Sequence, residues 1–288
     1  MVGATMRQVY RRLPSGLREQ ARSLRAAYYE RRSRRSRRAL FGAQAYYVPP
    51  VELMHDGPQD YQLFKQNGEE FLEIVTDRCA LQPSQRVLDV GSGMGRKTLP
   101  LINYLDTNGS YEGLDIVKAA ISWCSARYTA QHPNFRFTWM NVWNGMYNQS
   151  GTIHASEYRL PFADQEFDLV ILGSVFTHML PADMRQYMSE IARVLKPGGR
   201  STISYFLLNA ESERCIAEGR STLPITHEVA PGCKVLSAAI PERAVAYDQN
   251  DILQLYAQYD LKATLSYGSW CGRTTYQSYQ DMIIGEKI

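Results

Sequence analysis

The chain has no apolar run of the ~18 residues a membrane-spanning helix needs. Its first residues also lack the apolar core of a secretory signal. It has no C-x-x-C pair: Cys79, Cys124, Cys215, Cys233 and Cys271 are scattered and odd in number. That pattern argues against a disulfide framework or a zinc site and suits reduced thiols in a cytoplasm. The five histidines form no H-x-H or H-x-x-x-H pair, and there is no internal repeat. Lysine is missing from residues 1–38, where twelve arginines face only Glu19 and Glu30. The whole chain is only +3, so the rest is net negative, an acidic body with a basic arm.

What is present is an ordinary globular composition, 44% hydrophobic and 21% charged in 288 residues. That suffices for one α/β core with an appendage. Residues 1–44 form the arginine-rich arm, broken at Pro14-Ser15-Gly16. Leu17, Ala21, Leu24 and Tyr28 are spaced as a helical stripe over 17–39. Residues 45–85 form a helical cap, with a helix over 60–79 after Pro49-Pro50. From 86 onward, β-rich runs alternate with helical ones, the pattern of βαβ units. Strands are predicted at 86–90, 111–116, 135–140, 167–173 and 201–208, with two more closing the chain. A helix over 182–195 ends at Lys196-Pro197-Gly198-Gly199. Residues 141–159 and 209–245 are predicted insertions, the second read as an insertion or a lid.

The strongest local signal is Asp89-Val90-Gly91-Ser92-Gly93-Met94-Gly95-Arg96. A strand running through glycines into a helix lets the backbone approach a ligand and offers it free N–H groups. The spacing is G-x-G-x-G, whereas dinucleotide binders use G-x-G-x-x-G. A nicotinamide dehydrogenase is therefore the weaker reading. Asp89 would crowd a pyrophosphate but suits a ligand carrying an ammonium group.

Residues 86–208 resemble a bacterial class I, Rossmann-like S-adenosylmethionine-dependent methyltransferase. The likeness rests on the glycine loop, on Leu114-Asp115-Ile116, on Leu160-Pro161-Phe162-Ala163-Asp164 with Phe167-Asp168-Leu169-Val170, and on Glu190 to Gly199. It implies an α/β fold with a seven-stranded, mostly parallel sheet, helices on both faces and a helical N-terminal extension. It also implies S-adenosyl-L-methionine as cofactor, held by Asp89, Gly91, Ser92, Gly93, Gly95 and Arg96, with Asp115 and Ile116 at the ribose. The family's aspartate near the adenine is replaced by Ser156, so Asn141 is the expected substitute. Ser174 and His178 follow the fourth strand at the sheet's carboxyl edge, and His178 is the expected general base. The other four histidines are expected on solvated loops.

No N-P-P-Y follows the fourth strand and there is no Pro-Cys. Methylation of a base amine or of pyrimidine carbon is accordingly disfavoured. No carboxylate ends the fourth strand, so no metal is expected. The predicted reaction is O-methylation of a sugar, glycan or small metabolite, and Trp139, Trp143 and Trp270 are expected to favour flat or sugar-like acceptors. RNA or protein methylation and a non-catalytic cofactor-binding protein are the alternatives. The arm has three readings: a solvated or partner-packed helix with no ligand, a contact to an anionic membrane surface on a cytoplasmic protein, and, least favoured, nucleic-acid binding; a homo-oligomer is a separate expectation.

Overall fold

The structure, a computed structural model, describes residues 15–288 apart from residue 56. The part of the arm before Ser15, with its Pro14 break, lies outside the described residues. Helix α1 (Ser15–Phe41) comes first, then α2 (Tyr61–Glu73), whose N-cap Asp60 accepts from Leu63 N at 2.9 Å. Next come β1 (Arg86–Val90), α3 (Thr98–Tyr104), β2 (Ser110–Asp115), α4 (Lys118–Cys124), β3 (Phe135–Trp139) and β4 (Phe167–Leu172). Helix α5 (Pro181–Val194) starts with Pro181, whose missing N–H costs nothing in a first turn, and leads into β5 (Leu195–Tyr205).

Strands β1 to β5 pair in parallel in the order 3-2-1-4-5. Their residues alternate between two cores. Leu88, Val90, Val170 and Leu172 face the core containing α5, while Val87, Leu169 and Ile171 face the one containing α2 and α3. A strand buried on both faces reads as a near-continuous apolar run, which is why FDLVIL is so apolar.

Strand 201–208 is not continuous. The chain leaves the main sheet at Phe206, and β6 (Leu207–Leu208) begins a second sheet. After α6 (Ala210–Ala217), β7 (His227–Ala230), β8 (Cys233–Val235) and β9 (Val245–Asp248) join it in the order 6-9-8-7. Residues 209–245 thus carry α6 and two strands of this second sheet. Their weak periodicity reflects short strands around a small core of their own, with Phe206, Ile225 and Trp270. Then α7 (Gln249–Gln258), β10 (Leu261–Ser266) and β11 (Asp281–Lys287) complete the seven-stranded sheet, with β11 antiparallel to β5.

The 45–85 segment packs into the molecule. Val48, Met54, Phe64, Val75 and Leu81 share one core with Val87, Leu99 and Tyr111. The stripe predicted on α1 is not packed: Leu17, Leu24 and Tyr28 are exposed. Only the end of α1 is anchored. Arg37 is 1% exposed, pairs with Glu30 at 2.8 Å and donates to the Val48 carbonyl.

Candidate active site

β1 and β4 are neighbours at the point where strand order reverses, and a cavity of about 790 Å³ opens at their carboxyl ends. Ligands of open α/β sheets bind in such crevices. Gly91 takes φ +83°, and a Cβ there would stand 2.5 Å from a Val175 methyl. Only glycine lets the turn after β1 lie so close to the turn after β4. Asp115 pins this loop: its carboxylate accepts from Gly93 N at 2.8 Å and from Val117 N at 2.7 Å. Ser174 adopts φ +60°, a conformation rare for a side-chain-bearing residue, and donates its hydroxyl to Gln280 at 2.9 Å.

Gly91, Ser92, Gly93, Arg96, Asp115, Ile116, Ser174 and His178 all line the cavity. Three expected cofactor residues do not. Asp89 is fully buried, with Oδ1 2.8 Å from Lys97 Nζ and Oδ2 accepting from the Tyr111 hydroxyl at 2.7 Å. It balances a lysine instead of meeting a ligand's ammonium. Gly95 is packed on Tyr128, whose ring carbon a Cβ would approach to 2.7 Å. Asn141 spends its amide on Thr152 Oγ1 at 2.6 Å, closing the 141–153 loop. Met140, Val142, Trp143, Asn144 and Tyr147 face the cavity from that segment.

Sequence reasoning missed several lining residues. Lys97 sits beside Gly91, whose carbonyl it contacts at 3.3 Å. His55, Asn67, Glu70 and Phe71 reach the cavity from the cap, so His55 is not simply a solvated loop residue. His132 also has a protein partner, the Tyr47 hydroxyl at 2.9 Å. Of the tryptophans, Trp270 is fully buried and donates to Asp281, and Trp139 donates to the Ile116 carbonyl. Only Trp143 among those three lines the cavity. Nothing in residue type separates these roles; burial does.

His178 ends a short 3-10 turn, Phe176–His178. Its Nδ1 lies 2.8 Å from the Glu242 carbonyl oxygen. A carbonyl only accepts, so Nδ1 carries the hydrogen and Nε2 of the neutral ring keeps its lone pair. Burial holds the imidazole below its ordinary pKa of 6.5, although the Glu242 and Arg243 backbone favours the charged ring. Tyr147 abuts the ring edge-on at 5.4 Å. Asp183, Tyr187 and Glu242 complete this end of the cavity.

Residues 88–203 match the family model described as a methyltransferase domain. An O-methyltransferase of Aspergillus nomiae, rstn1, is 26% identical over 155 residues, covering 54% of this chain and 61% of that protein. Another O-methyltransferase, resE of Aspergillus sclerotiorum, is 30% identical over 156 residues, covering 50% of this chain and 51% of that protein. The chain therefore spans little more than half of these relatives. Both are fungal, so the likeness does not single out a bacterial lineage. The crystal structure of the PH0226 protein from Pyrococcus horikoshii OT3 superposes with a TM-score of 0.56 at 17% identity, covering 84% of this chain and 98% of that one. The cofactor of this domain family is S-adenosylmethionine. The cavity fits it: a glycine cradle that a Cβ would fill, the Asp115 carboxylate, and the Ser92 hydroxyl, 2% exposed and without a hydrogen-bond partner. Residues 88–203 thus resemble a methyltransferase domain in sequence, and the order of the parallel strands is that of a Rossmann-like fold.

Proposed function

We propose that this chain methylates a hydroxyl oxygen of a sugar or small metabolite, with S-adenosylmethionine as donor and His178 as general base. The observation that carries the reading is the His178 Nδ1 contact with the Glu242 carbonyl, which leaves Nε2 basic in a ring burial keeps neutral. The two fungal relatives named O-methyltransferases support the choice of oxygen. Bound S-adenosylmethionine supplies an electrophilic methyl group. The glycine loop and Asp115 would hold it, with Ile116, Ser174 and Arg96 around it. The cap and the 141–153 loop would exclude water, and Trp143 and Tyr147 would orient the acceptor. His178 Nε2 then takes the proton of the acceptor hydroxyl.

Calorimetric titration with S-adenosylmethionine and S-adenosylhomocysteine, on the intact chain and on Asp115→Ala, tests the cofactor assignment. Micromolar binding that the substitution abolishes is expected. Failure of the intact chain to bind either compound would overturn the reading and favour a nicotinamide or scaffold role. A separate observation concerns α1, where Arg31, Arg32, Arg34, Arg35 and Arg38 are exposed along with Leu24 and Tyr28. We infer from this face a contact with an anionic membrane surface.

A further inference from the structure

The two ends of the cavity differ in charge. Its lining lysine and arginine, Lys97 and Arg96, both belong to the glycine-loop end, where the carboxylates of Asp115 and Glu70 balance them. Lys97 is already paired with Asp89, and the Arg96 guanidinium lies over the Phe64 ring of α2 at 5.4 Å. The end around His178 holds two carboxylates, Asp183 and Glu242. Among the described residues neither forms an ion pair with a lysine or arginine. Burial pushes the Asp183 carboxyl up, and the Glu242 charge adds to it, which places the two groups within electrical reach of each other. Backbone hydrogen bonds from Ser156 and Leu180 and the charge of His154 oppose that rise.

Acidic residues together do not make a site, and Asp183 has a structural task in the first turn of α5. A second observation points to a ligand. Tyr187, one turn further along α5, also lines the cavity. It is 2% exposed, yet among the described residues its hydroxyl meets no hydrogen-bond partner. Leaving a buried hydroxyl unpaired is unfavourable, so an orphan at a cavity wall marks a place where a ligand group completes the pairing. Asp183 and Tyr187 are four residues apart and face the same space, and Glu242 enters from the second sheet's connection, carrying the carbonyl that orients His178.

We propose that the acceptor is a hydroxylated organic amine, such as an amino sugar or a hydroxylated aromatic amine. Its ammonium lies against Asp183 and Glu242, a hydroxyl meets His178, and a further polar group pairs with Tyr187. This rests on reading the cavity as a methyl-transfer site. The same two carboxylates repel acceptors that carry a carboxylate or a phosphate, so selectivity arises from exclusion as well as attraction.

The test uses the full chain saturated with S-adenosylhomocysteine and matched probes read by ligand-observed NMR titration. One set is glucosamine, glucose and glucuronate; the other is tyramine, 4-methylphenol and 4-hydroxyphenylacetate. In at least one set the amine is expected to bind about tenfold or more tighter than the carboxylate, with the neutral probe between. Asp183→Asn with Glu242→Gln should shrink that preference to about twofold while leaving S-adenosylhomocysteine affinity unchanged, and Tyr187→Phe should weaken the amine about two- to tenfold. A carboxylate that binds as well as its amine partner overturns the proposal. So does a preference that survives the double substitution, or absence of amine binding at millimolar concentration in a chain that binds S-adenosylhomocysteine. A chain that does not bind S-adenosylhomocysteine overturns the methyl-transfer reading, and this inference with it.

Discussion

His178 has one ring nitrogen committed to a backbone carbonyl, and burial lowers the pH at which the ring takes a proton. A base works only unprotonated. Because its pKa is lowered from 6.5, the neutral ring persists to more acidic pH than a solvated histidine's would. With His178 as the proposed base, the acidic limb of the kcat/KM profile should have its midpoint below pH 6.5, as the imidazole gains its proton. His178→Gln should lower kcat by about 10²- to 10⁴-fold and remove that acidic limb. An unchanged profile in the variant would show that another group takes the proton. Lys97 and Asp89 teach a complementary lesson. The aspartate was legible as part of a motif, but its partner was not, because only the turn after β1 brings a side chain eight positions on back over it.

At the scale of elements, the family-like motifs away from the cavity turn out to be ties between strands and helices. Glu190 of α5 accepts from Leu160 N at 2.8 Å, and Arg193 donates to the Leu160 and Phe162 carbonyls. Lys196 contacts both carboxylate oxygens of Asp168 at 2.8 Å, and Asp168 also accepts from Arg86 N. The join between the two sheets depends on Asp281 of β11. Its carboxylate, fully buried, accepts from Gly268 N, Leu207 N, Trp270 Nε1 and Arg273 Nη1. An amide there would turn N–H groups towards donors and strip Arg273 of its buried counter-charge. Asp281→Asn should therefore cost about 3–5 kcal/mol. Differential scanning calorimetry should register this as a Tm lowered by on the order of 10 °C. A shift of less than about 2 °C would mean that the network relaxes around the change.

Over the whole molecule, charge is divided between an acidic body and the arginine arm. Helix α1 is anchored near its end by Arg37 and Phe41, and its exposed arginines stand away from the core. Sedimentation with phosphatidylglycerol vesicles should carry the chain down at low salt, with much less bound at 0.5 M salt or to phosphatidylcholine, because exposed charges are screened over about a Debye length. Replacing Arg31, Arg32, Arg34, Arg35 and Arg38 with serine should greatly reduce this without altering S-adenosylhomocysteine affinity. Equal sedimentation with neutral vesicles would exclude the electrostatic contact. Among the described residues no helix is long and apolar enough to cross a membrane.

The sequence by itself determined the βαβ alternation, the place of the glycine loop, Asp115 at the end of β2 and His178 past β4. Those follow from periodicity and from turns only particular residues can make, both local properties of a chain. Tertiary structure decided which of the motif residues reach the cavity. It committed Asp89 to Lys97, packed Gly95 on Tyr128 and tied Asn141 to Thr152, and brought in His55, Lys97 and Tyr187. It also set Glu242 against His178 across 64 positions, from a stretch whose periodicity is too weak to show two short strands. Burial, charge pairing and hydrogen-bond partners are settled by which elements pack together, and that information is not carried by neighbours in sequence.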